Sequence, residues 1–190
     1  EIFSARGIEL NRALYKQKIS GRQNEAIVAD FFPELSAEAG VVFSAEKEAT
    51  FRTRAKDLLM PLPGLMDLLA HISRDGLKAA VVTNAPSKNA IFMLQALNLE
   101  NTFSPVVIAD TLPRGKPDPL PYQTALDQLG ITAAEAIVFE DSKAGIHSAV
   151  GAGIFTVGVT TTHTSTELLA EGASRTVADF TEDALLQTIL

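Results

Sequence analysis

Polar side chains gather at four short places: Thr83-Asn84, Asp110, Lys116 within RGKPDP (114–119), and Glu140-Asp141-Ser142. The first, second and fourth each follow an apolar run, KAAVV, PVVIA and EAIVF. A hydroxyl, an amide, an ammonium and adjacent carboxylates suit one kind of chemistry. A hydroxyl, the N–H groups of a helix start and an ammonium together suit a phosphate. Carboxylates beside a phosphate suit Mg²⁺, a hard cation that takes oxygen ligands. On this reading Glu140 and Asp141 stand side by side because a divalent cation offsets their charge. Each residue alone also has a plainer use. Thr83 and Asn84 can cap a helix, Lys116 can be a solvated turn lysine, and the acidic run can cap the helix after it.

The elements that would position these groups follow from periodicity. Residues 1–60 read as helices only, with Ile8, Leu10, Leu14 and Tyr15, then Ile27, Phe31 and Phe32, at helical spacing, interrupted at Ser20-Gly21 and Pro33. From Pro61 helix and strand alternate: helix GLMDLLAHISRDG, strand KAAVVTNA, helix SKNAIFMLQALNL with Ser87 as expected N-cap, strand PVVIAD, helix LPYQTALDQLG, strand EAIVFED, helix SKAGIHSAVGAG, strand FTVGVT, helix TSTELLAEG, strand RTVAD and helix TEDALLQTIL. Such alternation predicts an α/β fold, a doubly wound, Rossmann-like parallel sheet covered on both faces, with ligands at the carboxyl ends of the strands. The domain reading is a small helical unit at 1–60 and an α/β core at 61–190.

Composition removes several alternatives. The chain has 190 residues, 46% of them hydrophobic, and a net charge of −7 with scattered basic residues, which argues against a nucleic-acid surface. It has no cysteine, so disulfides and thiolate metal sites are excluded. No apolar run reaches the roughly 18 residues of a membrane span, and a cytoplasmic setting is expected. GAGIFTVG at 151–158 is no dinucleotide loop, because its glycines follow a helix and precede a strand. His71, His147 and His163 fit no metal spacing; His147 reads as structural, and His163 lies in a loop that could face the site.

The order and spacing of VVTNA, RGKPDP and VFEDSKAGI resemble the second, third and fourth motifs of the haloacid dehalogenase superfamily of phosphohydrolases. The helical residues 1–60, with ISGRQNEAIVADFFP, resemble the helical cap of the branch that holds β-phosphoglucomutase and phosphoglycolate phosphatase. The resemblance implies Mg²⁺-dependent phosphoryl transfer from a small phosphorylated metabolite. It makes Thr83 the holder of the transferring phosphoryl group with Asn84 beside it, Lys116 the neutraliser of phosphate charge, Asp141 and Glu140 the metal ligands, and Arg22 a cap residue touching substrate. A phosphatase is expected ahead of a phosphomutase. A non-catalytic binder of phosphate or metal is the alternative from another class. A phospho-acceptor signalling domain fits less well, given the cap and the Gly-Lys-Pro turn.

The family's first motif, an Asp-x-Asp run that supplies the nucleophile, has no counterpart in the chain. ADFF at 29–32 lies in a helical context, and VADF at 177–180 falls near the carboxyl end. The expectation is a chain that begins, at Glu1, after that motif, so that its nucleophile lies upstream. The strand bearing the motif is central in the family, so the strands on either side of it are expected to lack a partner here.

Overall fold

Helix-favouring segments fill the amino-terminal third and give way to strands where the apolar runs shorten. A computed structural model describes residues 2–182. The expected final helix, TEDALLQTIL, lies almost wholly outside the described residues. Three helices come first: α1 (Arg12–Lys18), α2 (Asn24–Phe31) and α3 (Ala37–Ala55). Asn11 starts α1 by accepting from the Leu14 N–H at 2.8 Å, and Ser36 starts α3 by accepting from the Ala39 N–H. The periodicity of Ile8 and Leu10 is not helical after all. A 3₁₀ turn at Ser4–Arg6 ends on Gly7 at φ 75°, and the helix starts only at Arg12. Both residues still pack on a small core of Phe3, Ile27, Phe32 and Phe43. Its rings meet edge-on or tilted, Phe32 and Phe43 with centroids 4.6 Å apart.

The remainder alternates as expected: α4 (Leu65–Arg74), β1 (Val81–Thr83), α5 (Ser87–Ala96), β2 (Val106–Ile108), α6 (Leu120–Leu129), β3 (Ile137–Glu140), α7 (Lys143–Gly151), β4 (Phe155–Val159), α8 (Ser165–Ala170) and β5 (Arg175–Val177). All pairings are parallel. Helix α4 packs Leu68 onto Val157, Val159, Val177 and Phe180. On another cluster Tyr122 and Leu126 of α6 meet Val138 of β3 and Ala149 of α7. Near-continuous apolar strands fit a sheet covered on both faces.

The strands form two sheets, β1-β2 and β3-β4-β5. Among the described residues β1 pairs with β2 alone and β3 with β4 alone, which is the pattern expected for the two neighbours of the first-motif strand. All three residues of β1 stay half-buried, the apolar Val81 and Val82 included.

Two local expectations are corrected. Ser87 is not the N-cap of α5: Pro86 holds that place, and Ser87 is the first helical residue. Its N–H and hydroxyl both donate to the Asp110 carboxylate, at 3.0 Å and 2.9 Å. The strand PVVIAD also stops at Ile108, because 109–111 turn into a 3₁₀ segment that swings Asp110 toward Ser87.

Candidate active site

The carboxyl ends of β1 and β3, the 114–119 turn and the amino-terminal helices enclose a cavity of about 750 Å³. Its polar lining includes Tyr15, Arg22, Thr83, Asn84, Lys116 and Asp141. Its apolar floor, with Leu62, Val82, Phe139, Val159 and Phe180, runs down between the two sheets. The sequence-predicted groups therefore converge, as strand-end placement requires. Asp110 is the exception. It lines other concavities and is committed to Ser87.

Lys116 departs most from its expected character. A turn lysine is ordinarily solvated, but Lys116 is 8% exposed. Its ammonium donates to the Val82 carbonyl at 2.8 Å, to the Tyr122 hydroxyl at 3.1 Å and to Oε1 of Glu140. Those three acceptors match the three N–H donors an ammonium carries. Val82 belongs to β1 and Glu140 to β3, so the lysine ties together two sheets whose strands, among the described residues, do not pair with each other. The turn that carries it is anchored in turn. The Ser148 hydroxyl of α7 donates to the Asp118 carbonyl at 2.6 Å, and Arg114 pairs with Asp118 at 3.1 Å.

Glu140 is correspondingly spoken for. Oε1 accepts from Lys116 and from the Tyr122 hydroxyl at 2.9 Å. Oε2 accepts from the N–H groups of Asp141 and Ser142 and from the Ser142 hydroxyl, at 3.1–3.3 Å. The carboxylate thus sits at the start of α7, where the helix dipole favours an anion. It lies so close that a Cβ on Gly145 would come 2.0 Å from its Cδ. Here is the physical reason for a glycine three residues after Ser142. The charge of Glu140 is offset by Lys116 and the helix start, where the sequence suggested a metal shared with Asp141.

Asp141 faces the cavity differently. Its Oδ2 accepts from the hydroxyls of Thr161 and Thr162, both at 2.9 Å. Among the described residues no three His, Asp or Glu side chains cluster as a ready-made metal cage. Mg²⁺ does not require one: it is commonly held by one or two carboxylates with substrate phosphate and water completing its shell. The oxygen-rich set of Asp141, Thr161 and Thr162 fits that use, with Asp141 as the side chain that would hold the ion.

The remaining candidates are more constrained than their types suggest. The Thr83 hydroxyl accepts from the Ala85 N–H at 3.0 Å. Asn84 spends both amide protons on carbonyls, of Gly21 at 2.9 Å and Lys116 at 2.8 Å, so its neighbours gain placement and a phosphate gains no donor. Arg22 pairs with Asp30 at 2.5 Å and donates to the Lys18 carbonyl, although it lines the cavity. Arg22 and Lys18 hold the Asp30 carboxyl below its ordinary range. His163 is buried outside this cavity, and His147 is surface-paired with Glu171.

Sequence reasoning missed Tyr122, Thr161, Thr162 and Tyr15, and it placed Gly145 in the Glu-Asp-Ser-x-x-Gly pattern without a reason for the glycine. Thr161 and Thr162 follow β4, so the strand-end rule applied to that strand would have found them. Tyr122 looked like one more apolar residue of α6. Burial first, then Glu140, push its phenol well above the ordinary range. Tyr15 in α1 is raised by burial and then by the charges of Asp141 and Glu48.

The chain is similar to known proteins over most of its length. Residues 2–159 match the family described as haloacid dehalogenase-like hydrolase. A validoxylamine A 7'-phosphate phosphatase of Streptomyces hygroscopicus subsp. limoneus is 33% identical over 181 residues, 95% of this chain and 84% of that protein. A β-phosphoglucomutase of Bacillus subtilis is 32% identical over 125 residues, 61% of this chain but only 54% of its own length, so the chain spans about half of that relative. The crystal structure of a HAD hydrolase, family IA, variant 3, from Entamoeba histolytica superposes with a TM-score of 0.86 at 27% identity, covering 99% of this chain and 86% of that one. The strand-end motifs, the parallel α/β fold and these matches agree: the chain belongs to the haloacid dehalogenase-like hydrolases, in the branch that includes β-phosphoglucomutase.

Proposed function

We propose that the protein serves Mg²⁺-dependent hydrolysis of a small phosphate monoester through an aspartyl-phosphate, with residues 1–60 acting as a cap over the site. The observation that carries this reading is the convergence of Thr83, Lys116 and Asp141 on one cavity that opens between β1 and β3. In this reading the Thr83 hydroxyl positions the phosphoryl group. Lys116, held in place by Glu140 and Tyr122, supplies fixed positive charge beside it, the preorganised electrostatics that lowers such barriers. Asp141 would hold Mg²⁺, which when bound neutralises phosphate charge. Tyr15 and Arg22 look into the cavity from the cap and face the substrate body.

The nucleophile in this reading is the first aspartate of an Asp-x-Asp run on a strand between β1 and β3. The edges of β1 and β3, unpaired among the described residues, and the apolar-floored cavity between them support that location. The test compares the chain alone with a protein extended by its upstream coding sequence, on a panel of phosphate monoesters. Expected are no phosphate release from the chain alone and Mg²⁺-dependent release from the extended protein, lost in Lys116→Ala. Turnover by the chain alone above a Lys116→Ala control, or an inactive extended protein, would overturn the reading. The β-phosphoglucomutase relative supports a second reading, transfer to a sugar hydroxyl. Sugar bisphosphate formed in place of free phosphate would favour it.

A further inference from the structure

We infer that Asn84 couples the seating of the amino-terminal helical unit to the placement of Lys116. This rests on the phosphoryl-transfer reading only for its purpose. The loop between α1 and α2 meets all three strand-end motifs at once. Gly21, at φ 71°, lies against Ser142: a Cβ there would come 2.7 Å from the Ser142 Cβ. Gln23 lies against Gly115, where a Cβ would come 2.8 Å from its Nε2 and 2.9 Å from Oδ1 of Asn84. Asn84 joins these contacts. Its Nδ2 donates to the Gly21 carbonyl and to the Lys116 carbonyl, and its Oδ1 accepts from the Lys116 N–H at 2.9 Å. The Lys116 N–H fixes which end of the amide is oxygen, so the other end must be the donor to Gly21.

The consequence is a two-position device. With the loop seated, one side-chain amide is pinned from the helical unit and pins the lysine backbone on both sides, N–H and carbonyl. With the loop withdrawn, Nδ2 loses one acceptor, Asn84 gains freedom and Lys116 loses part of its backbone support. The lysine is thus best placed when the site is covered. Phosphate charge would meet a fixed ammonium only after the cavity has been shielded from water, when electrostatic stabilisation is strongest. Asn84 is a positioning residue and contacts no phosphate in this scheme.

The test reads both ends of the bridge without substrate, so its outcome is separable from the question of hydrolysis. The chain has no cysteine, so Val41→Cys in α3 and Leu169→Cys in α8, both exposed, accept a pair of spin labels that report the separation of the two units. Amide hydrogen exchange at Lys116 reports the other end, with the Leu126 amide of α6 as the control for intact folding. Gly21→Ala unseats the loop from one side, and Asn84→Ala removes the bridge. Expected in both is a broadened, longer spin-label distance and an acceleration of Lys116 exchange of about tenfold, with Leu126 unchanged. The double variant should be no worse than either single one. Should Asn84→Ala fail to fold, Asn84→Asp keeps the acceptor for the Lys116 N–H and loses both donors, and the same longer distance is expected. Lys116 exchange unchanged in Gly21→Ala would reduce Asn84 to a local staple and overturn the coupling. So would an unaltered distance in Asn84→Ala or, in its place, Asn84→Asp.

Discussion

Of the cation–carboxylate pairs that reach this cavity, Arg22–Asp30, which lines it through the arginine, and Lys116–Glu140 differ in nearly everything except charge. Arg22–Asp30 lies in the helical unit with both side chains 29% exposed. Lys116–Glu140 lies between the sheets, with side chains 6% and 9% exposed. Water screens the first pair, so either partner can lose the other and be solvated. The second pair has been taken out of water and rests on a full set of hydrogen bonds, so either partner left alone is a buried, uncompensated charge. One pair can part and be solvated. The other is a fixed part of the core. The same two residue classes thus supply an adaptable contact in one place and preorganised electrostatics in the other.

Removing a partner from the buried pair should have the largest effect. Lys116→Ala leaves Glu140 without its counter-charge, and a loss of about 3–5 kcal/mol is expected, read from urea or thermal unfolding. A loss below about 1 kcal/mol would place the pair in the surface class. Lys116→Met, which keeps the stem without the charge, should not rescue the variant, since the carboxylate stays unpaired.

Gly145→Ala attacks the same pair from the helix side. The added methyl would occupy the place of the Glu140 carboxylate. Overpacking of this kind costs about 1–3 kcal/mol, and the Tyr122 ring should shift its near-ultraviolet signal as the carboxylate is displaced. An unchanged unfolding curve and spectrum would mean the carboxylate has room that the structure does not show.

Asp141→Asn separates metal binding from folding. The amide still accepts from Thr161 and Thr162, so stability without metal should change by less than about 0.5 kcal/mol. Mg²⁺ should raise the melting temperature of the parent and not of the variant. An equal Mg²⁺ response in both would remove Asp141 from the proposed ligand set.

The surface pair should be nearly silent. Arg22→Ala is expected to leave the melting temperature unchanged within error. A melting loss comparable to that of Lys116→Ala would erase the distinction drawn between the two pairs.

The smallest effect is a pH slope set at the start of α8. Glu167 closes a capping box with Thr164 at the start of α8, and hydrogen bonds from the Thr164 N–H and hydroxyl, reinforced by Lys16 and His163, lower its carboxyl to about 2. Its folded value lies below its unfolded value, so its contribution is full above the unfolded value, about 4.5, and is lost as pH falls toward about 2. Glu167→Gln should flatten the melting temperature between those pH values relative to the parent, and an identical slope would remove Glu167 as its source.

Much of this architecture was legible in the chain. Apolar runs of strand length alternating with helical periods determined the parallel α/β order, because those periods are properties of local backbone geometry. The same runs marked the strand ends where Thr83 and Asp141 lie, and Lys116 reaches the same cavity from the 114–119 turn. Helix starts were legible where a side chain caps its own backbone, as at Ser142, but not at Ser87, whose hydroxyl Asp110 takes from 23 positions away. What tertiary structure alone decided is what each polar group has left to offer. The turn around Lys116 left its burial unreadable, because burial is set by what packs over a residue, here Tyr122, Val82 and Glu140 from other elements. Glu140 and Asp141 are neighbours in sequence with the same chemistry, yet strand alternation turns one into the core and leaves the other at the cavity. Local sequence specifies which groups arrive at a strand end. Only the packed fold, by removing water from some and giving partners to others, determines which of them remain available for chemistry.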